Sequence, residues 1–102
     1  MHYRLCAAIL VSLVLVPTAH WARADVTKGS QLAQLWCANC HVTGGTPAGN
    51  LQQGPPSFST SAHARTAGQL RVFLSHPHGA MPDLSLTRAE IDDLVGYIET
   101  LR

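Results

Sequence analysis

The residues with the clearest chemical potential lie between Cys37 and His41. They read Cys-Ala-Asn-Cys-His, so two thiols are separated by two residues and a histidine follows at once. This C-x-x-C-H spacing is the attachment signature of haem c, because both thiols can form thioethers with the vinyl groups of one porphyrin. The next residue, the histidine, then lies beneath the iron and can ligate it.

Two other chemistries are open to the same residues. A disulfide between Cys37 and Cys40 is allowed in an exported chain, but it leaves the adjacent histidine without a purpose and closes a very small loop. A zinc site needs a fourth ligand, and no second C-x-x-C or H-x-x-x-H pair accompanies the motif. We therefore predict one haem c, attached through Cys37 and Cys40, with His41 as an iron ligand.

The second axial ligand decides between electron transfer and catalysis. A thioether keeps the iron six-coordinate and raises its potential, whereas an open site suits small-molecule binding or turnover. Met81 stands in an irregular Gly/Pro segment and belongs to no helical apolar stripe, so we predict it as the ligand. Three other side chains remain alternatives: His76, His78 and His63.

Residues 1–24 read as an export signal. Arg4 precedes a predominantly apolar stretch from Leu5 to Val16, which contains one serine, and small residues occupy positions 22 and 24, which a signal peptidase recognises. The stretch is shorter than the roughly 20 residues that a spanning helix needs. We expect cleavage after Ala24, a periplasmic location and no membrane span in the remaining domain, residues 25–102.

Charge excludes two classes of protein. The 102 residues carry seven Lys+Arg against six Asp+Glu, without a basic cluster, so neither a nucleic-acid binder nor a polybasic membrane-surface protein is indicated. Without Arg4 and Arg23 the formal charge becomes −1. The 78 residues from Asp25 onward can form only a small hydrophobic core, which by itself gives marginal stability. A chain of this size needs an additional stabilising element, and a covalent haem would supply it.

The elements that position these residues are helical. A helix is predicted over Val26–Asn39, with Thr27 as its N-cap. The C-x-x-C-H motif then lies at the C-terminal end of this helix. A long loop is predicted over Val42–Ser61, where glycine and proline are frequent. A short helix follows over Thr66–His76 and stops because Pro77 disfavours helical angles in the residue before it.

The last segment gives the strongest helical pattern. Thr87 and Glu90 have the spacing of a capping box. An apolar stripe then recurs at helical intervals: Ile91, Leu94, Val95, Ile98 and Leu101. No alternating pattern of a β-strand is present in the sequence. The predicted fold is all-α, with about three helices and long loops around one haem.

Five features follow one another along the chain: Gly29, the C-x-x-C-H motif, Gly54-Pro55, Met81-Pro82 and the segment from Leu94 to Ile98. In this order and spacing they resemble the class I c-type cytochromes, in particular the small bacterial monohaem carriers. The resemblance implies that Gly29 and Tyr97 lie where the first and last helices cross, and that the Pro55 carbonyl accepts a hydrogen bond from the ring of His41. The family's aromatic residue four positions before the first cysteine is replaced by Ala33, and Trp36 is the candidate to fill that space.

The function that these observations predict is outer-sphere transfer of one electron between a periplasmic redox donor and acceptor. Lys28 is the single lysine, so we expect docking through an apolar patch near the haem edge and not through a ring of lysines. The chain would act as a monomer or as a small subunit. Two alternatives stay open: a fixed subunit of a periplasmic dehydrogenase or oxidase, and a ligand-binding or peroxidase-like haem protein.

Overall fold

Every regular element among residues 23–45, 54–77 and 79–102, which the computed structural model describes, is helical. Helix α1 spans Val26–Leu32 and runs directly into a π-helical turn at Ala33–Cys37, called here the wide turn. Three more helices follow: α2 at Phe58–Ala64, α3 at Ala67–Ser75 and α4 at Arg88–Glu99. The all-α prediction is confirmed, while the predicted leader over residues 1–24 lies almost wholly outside the described residues.

Helix α1 begins at Val26, as predicted, but its N-cap lies two residues before the predicted cap. The Asp25 side chain accepts a hydrogen bond from the Lys28 amide at 3.0 Å, and the Asp25 backbone is extended. The prediction of Thr27 as N-cap is therefore wrong. The physical reason is that Asp25 adds a negative charge to the same capping geometry, and a carboxylate at a helix N-terminus is favoured by the helix dipole.

Helix α2 begins inside the segment predicted as a loop and ends three residues beyond it. Ser57 caps it, because the Ser57 hydroxyl accepts from the Thr60 amide at 3.0 Å. Phe58 and Ala62, one helical turn apart, are its buried residues. The predicted loop over Val42–Ser61 is thus wrong at its C-terminal end. The apolar residues of α2 are Phe58, Ala62 and Ala64, and one large and two small side chains give too weak a period to indicate a helix.

The two later helices start at capping boxes. Thr66 and Gln69 bond each other's backbone at the start of α3, and Thr87 and Glu90 do so at the start of α4. Both predicted helices are confirmed. Helix α3 ends at Ser75, with His76 as its C-cap, immediately before the proline that was expected to stop it.

The core is built on α4, which packs against α1, α2 and α3. In the part of the chain that the structure describes, Leu94 and Val95 are the largest side chains that are fully buried. The buried apolar residues of that part are Ala33, Cys37, Phe58, Ala62, Leu70, Ile91, Leu94, Val95 and Ile98. Four of these nine belong to the stripe predicted on the last helix, so that stripe is confirmed as the centre of the fold.

Helices α1 and α4 make their closest approach at Gly29. A Cβ atom placed there would overlap the carbonyl group of Asp93 and would lie 2.9 Å from the Cβ of Tyr97. The crossing expected at Gly29 and Tyr97 is confirmed. Across the same contact, the backbone N–H of Asp25 donates to the Asp93 carboxylate at 2.7 Å.

The described helices are all too short or too polar to cross a membrane.

Candidate haem attachment site

The C-x-x-C-H motif is wound into one compact turn at the end of the first helix. The amides of Cys40 and His41 both donate to the carbonyl of Cys37, at 3.1 and 2.8 Å. The wide turn precedes it directly, because the Ala38 amide donates to the Ala33 carbonyl, five residues back, at 3.0 Å. Turns of this width are often found at functional sites, and nothing in the sequence pattern predicted this one.

The two thiols are both free and occupy different environments. Cys37 is only 5% exposed, and burial raises the pKa of its thiol above the usual value. Cys40 is exposed. The Cys37 thiol is therefore held inside the core at the end of the wide turn, while the Cys40 thiol lies at the surface. The motif thus runs from the core to the surface within four residues.

The ring of His41 is oriented by a backbone carbonyl. Its Nδ1 atom lies 2.7 Å from the carbonyl oxygen of Pro56. A carbonyl can only accept, so Nδ1 carries the proton and Nε2 keeps its lone pair for a metal. An imidazole held in this way is a stronger and better aligned ligand.

The prediction that the Pro55 carbonyl bonds the ring of His41 is wrong by one residue, because the carbonyl of Pro56 does so. Gly54 adopts a φ of +127°, which starts the turn at the two prolines. The amide of Phe58 then donates to the Val42 carbonyl at 2.9 Å and fixes the end of this turn beside the motif. Two successive proline carbonyls cannot be told apart from sequence, because the turn geometry decides which of them meets the ring.

Phe58 is the site residue that sequence reasoning missed. Its ring centroid lies 5.7 Å from the ring of His41 and 6.4 Å from the ring of Tyr97. Tyr97 in turn donates its hydroxyl to the Thr43 carbonyl at 2.6 Å, just after the motif. The Ser57 cap and the spacing of Phe58 and Ala62 were the signals that could have revealed this contact from α2.

Trp36 does not fill the position that Ala33 leaves small. Its side chain is 44% exposed, whereas Ala33 is fully buried in the core. That hypothesis is therefore wrong. The close approach at Gly29, one turn earlier, brings α4 near enough for an alanine to complete the packing.

The candidates for the second axial ligand are spread over the later part of the chain. Met81 is half-buried in the irregular segment before α4. His76 and His63 are exposed, at the ends of α3 and α2. His78 lies outside the described residues. The assignment of Met81 stays a prediction.

The Met81 segment is held by a turn of its own. The Asp83 carboxylate accepts from the Ser85 amide at 2.7 Å, and Ser85 adopts a φ of +52°, a conformation rare for residues other than glycine. This turn fixes the path of the backbone between Met81 and the start of α4. The position of the Met81 side chain therefore depends on the turn and not on packing along a helix.

The donor set fits one prosthetic group. Two free thiols in C-x-x-C-H spacing and an imidazole with an open Nε2 are what covalent attachment and axial ligation of haem c require. Within the described residues, no three His, Cys, Asp or Glu side chains are grouped to hold a metal ion, so the zinc alternative gains no support. An all-helical fold with this site defines a c-type cytochrome.

Comparison with known proteins agrees with that class. The family model described as cytochrome c oxidase, cbb3-type, subunit III matches residues 24–98. The chain is 36% identical over 104 residues to cytochrome c-552 of Bradyrhizobium diazoefficiens, and the alignment covers 100% of this chain and 99% of that protein. No solved structure matches. The chain belongs to this family of c-type cytochromes.

The prediction of a small monohaem electron-transfer protein is thereby confirmed. The chain binds haem c covalently and is an electron carrier, not an enzyme.

Proposed function

We propose that this cytochrome carries single electrons in the periplasm, with His41 and Met81 as the two axial ligands of its haem iron. The observation that carries the proposal is the 2.7 Å contact between His41 Nδ1 and the Pro56 carbonyl. That contact leaves Nε2 available and fixes the plane of the ring. When bound, the haem supplies an iron that alternates between the ferric and ferrous states.

The chain's own residues hold the cofactor and limit its rearrangement. Cys37 and Cys40 anchor it at the end of the first helix, and the Pro56 carbonyl holds the proton of His41 at Nδ1 in both oxidation states. Met81 supplies a thioether sulfur, a soft ligand that favours the ferrous state and raises the potential. A carrier benefits because little has to move when an electron arrives or leaves.

The periplasmic location follows from the leader. We assign residues 1–24 as the signal peptide and residues 25–102 as the cytochrome domain. Residues 23–25 support this assignment, because all three are exposed and precede the first helix. A signal peptidase therefore finds an accessible segment at the predicted cleavage site.

The donor and acceptor are periplasmic redox proteins that dock on an apolar surface next to the attachment site. Leu35 and Trp36, which directly precede Cys37, are 69% and 44% exposed. The domain has Lys28 as its single lysine. Association is therefore driven by brief apolar contact, with little long-range charge steering.

The identity of the second axial ligand is tested by absorption spectroscopy. Replacing Met81 by alanine is expected to remove the weak red band that accompanies methionine on ferric haem, and to give a high-spin spectrum that shifts with cyanide or carbon monoxide. The His76→Ala variant serves as the control and keeps the wild-type spectrum. A wild-type spectrum in Met81→Ala, or its loss in His76→Ala, would show that the ligand is assigned to the wrong residue.

A fixed subunit of an oxidase is the second candidate, because the matching family model is described as an oxidase subunit. The c-552 relative aligns with this chain over 99% of its own length, which favours a separate carrier. Co-purification from a periplasmic extract distinguishes the two. We expect the haem protein to elute alone, at the mass of one domain, and stable elution with a larger redox protein would instead establish the subunit.

A further inference from the structure

We propose that removal of the leader creates an ion pair between the new α-ammonium group of Asp25 and the carboxylate of Asp93, and that this pair fastens α1 to α4. The inference rests on the cleavage after Ala24 proposed above. Hydrolysis adds one water across the Ala24–Asp25 peptide bond. Ala24 leaves with the carboxylate, and the amino group released on Asp25 takes up a proton.

The geometry for this pair exists before cleavage. The backbone nitrogen of Asp25 lies 2.7 Å from Oδ1 of Asp93. In the uncleaved chain this nitrogen is a neutral amide with one hydrogen. After cleavage the same nitrogen carries three hydrogens and a positive charge, since an α-amino group has a pKa of about 7.7–8.0. The hydrogen bond is charge-assisted in both forms, because the Asp93 acceptor is a carboxylate. Cleavage adds a positive charge on the donor, so that a hydrogen bond between an amide and a carboxylate becomes an ion pair.

The cleavage site is presented in a form that a protease can use. Arg23, Ala24 and Asp25 are exposed and have no regular secondary structure, and Asp25 has extended backbone angles of −90° and 99°. Helix α1 begins at the next residue, Val26. The cut therefore falls at the last position that can be hydrolysed without unwinding the helix.

The surrounding charges explain why Asp93 is needed. A positive charge at the N-terminus of α1 opposes the helix dipole. The Asp25 carboxylate is already engaged with the Lys28 amide at 3.0 Å, so it only partly offsets that charge. The Asp93 carboxylate, on the helix that crosses α1, provides the second negative charge at the new terminus.

The pair also lies beside the close approach of α1 and α4 at Gly29. The carbonyl group of Asp93 is the atom group that a Cβ at position 29 would overlap. One residue of α4 thus meets α1 twice, through its backbone at Gly29 and through its side chain at Asp25. Cleavage therefore strengthens the contact on which the crossing depends.

The first experiment determines where the exported holoprotein begins. The chain is produced with its own leader in a host that attaches haem c, and the intact mass of the periplasmic form is measured. We expect the mass of residues 25–102 with one haem. A chain that begins at any other residue would overturn the proposal, because Asp25 would then carry no ammonium group.

The second experiment tests the ion pair by comparing two exported forms of the holoprotein. One starts at Asp25, and the other, exported from an unrelated leader, starts at Arg23 and keeps Asp25 as an amide. Asp93→Asn is expected to lower the Tm of the first form by about 2–5 °C. The loss should be smaller in the second form, since an asparagine oxygen still accepts from a neutral amide, and about 1 M salt should shrink the difference.

Asp92→Asn is the matched control, because the Asp92 carboxylate pairs with Arg71 at 2.7 Å and not with the chain terminus. It should change the Tm of both forms equally. Equal losses from Asp93→Asn in the two forms would overturn the ion pair. Neither the mass nor the Tm difference depends on which residue ligates the iron, so a failure of the Met81 assignment is recognised separately, by its spectrum.

Discussion

Replacing Gly29 by alanine is expected to destabilise the holoprotein by about 3 kcal/mol, at the upper end of what overpacking costs. The added methyl group would overlap the Asp93 carbonyl and lie 2.9 Å from the Cβ of Tyr97. Both neighbours belong to a helix backbone or to its first side-chain atom, so neither can rotate away. Relief requires that α1 and α4 move apart along their whole contact.

Urea denaturation of the holoprotein, followed by circular dichroism, measures this loss. Gly68→Ala is the matched control, because Gly68 lies in α3 and its nearest neighbour would be the Thr66 hydroxyl at 3.9 Å. Alanine is a better helix former than glycine, so this variant should gain about 0.5–1 kcal/mol. An unchanged urea midpoint in Gly29→Ala would mean that the crossing is looser than the structure indicates.

The chain without haem is expected to lose most of its helical signal. Replacing both Cys37 and Cys40 by serine removes the attachment, and the mean residue ellipticity at the helical minima should approach that of an unfolded chain. The reason is the size of the core. Ala33, Cys37 and Ala62 contribute small side chains to it, and among residues 23–45, 54–77 and 79–102 the only large side chains that are fully buried are Leu94 and Val95.

Exposed apolar surface leads to the same expectation. Among the described residues, Leu35 and Val72 are each 69% exposed and Trp36 is 44% exposed. Small domains gain too little from such a core to offset the conformational entropy of folding. The control is Ala38→Ser, which changes a residue between the two cysteines and should retain both haem and helicity. Full helical content in the double variant would show that the polypeptide core is sufficient.

The features predicted from sequence are those fixed by residues close together in the chain. The predicted capping box at Thr87 is satisfied within three residues, so residue type and spacing determine it. The stripe from Ile91 to Ile98 follows from helical geometry alone. The attachment motif is likewise local, since Cys40 and His41 bond back to Cys37.

The features that sequence did not predict depend on contacts between distant residues. Helix α2 is stabilised by burying Phe58 and Ala62, and the Ser59 hydroxyl bonds the Leu101 carbonyl at 3.1 Å, 42 residues away. The choice of Pro56 over Pro55 depends on where His41 is held. Periodicity and propensity contain no information about either contact.

The wide turn sets the angular relation between the crossing and the haem. Gly29, Ala33 and Cys37 recur at intervals of four, and all three are buried. In an uninterrupted α-helix each residue advances about 100°, so Cys37 would stand about 80° around the axis from Gly29. Hydrogen bonding over five residues reduces the advance per residue and keeps the thiol in phase with the glycine. The spacing of eight residues from Gly29 to Cys37 is therefore fixed, because an insertion or deletion between them would turn the thiol away from the crossing. Substitutions between the two positions leave this angle unchanged.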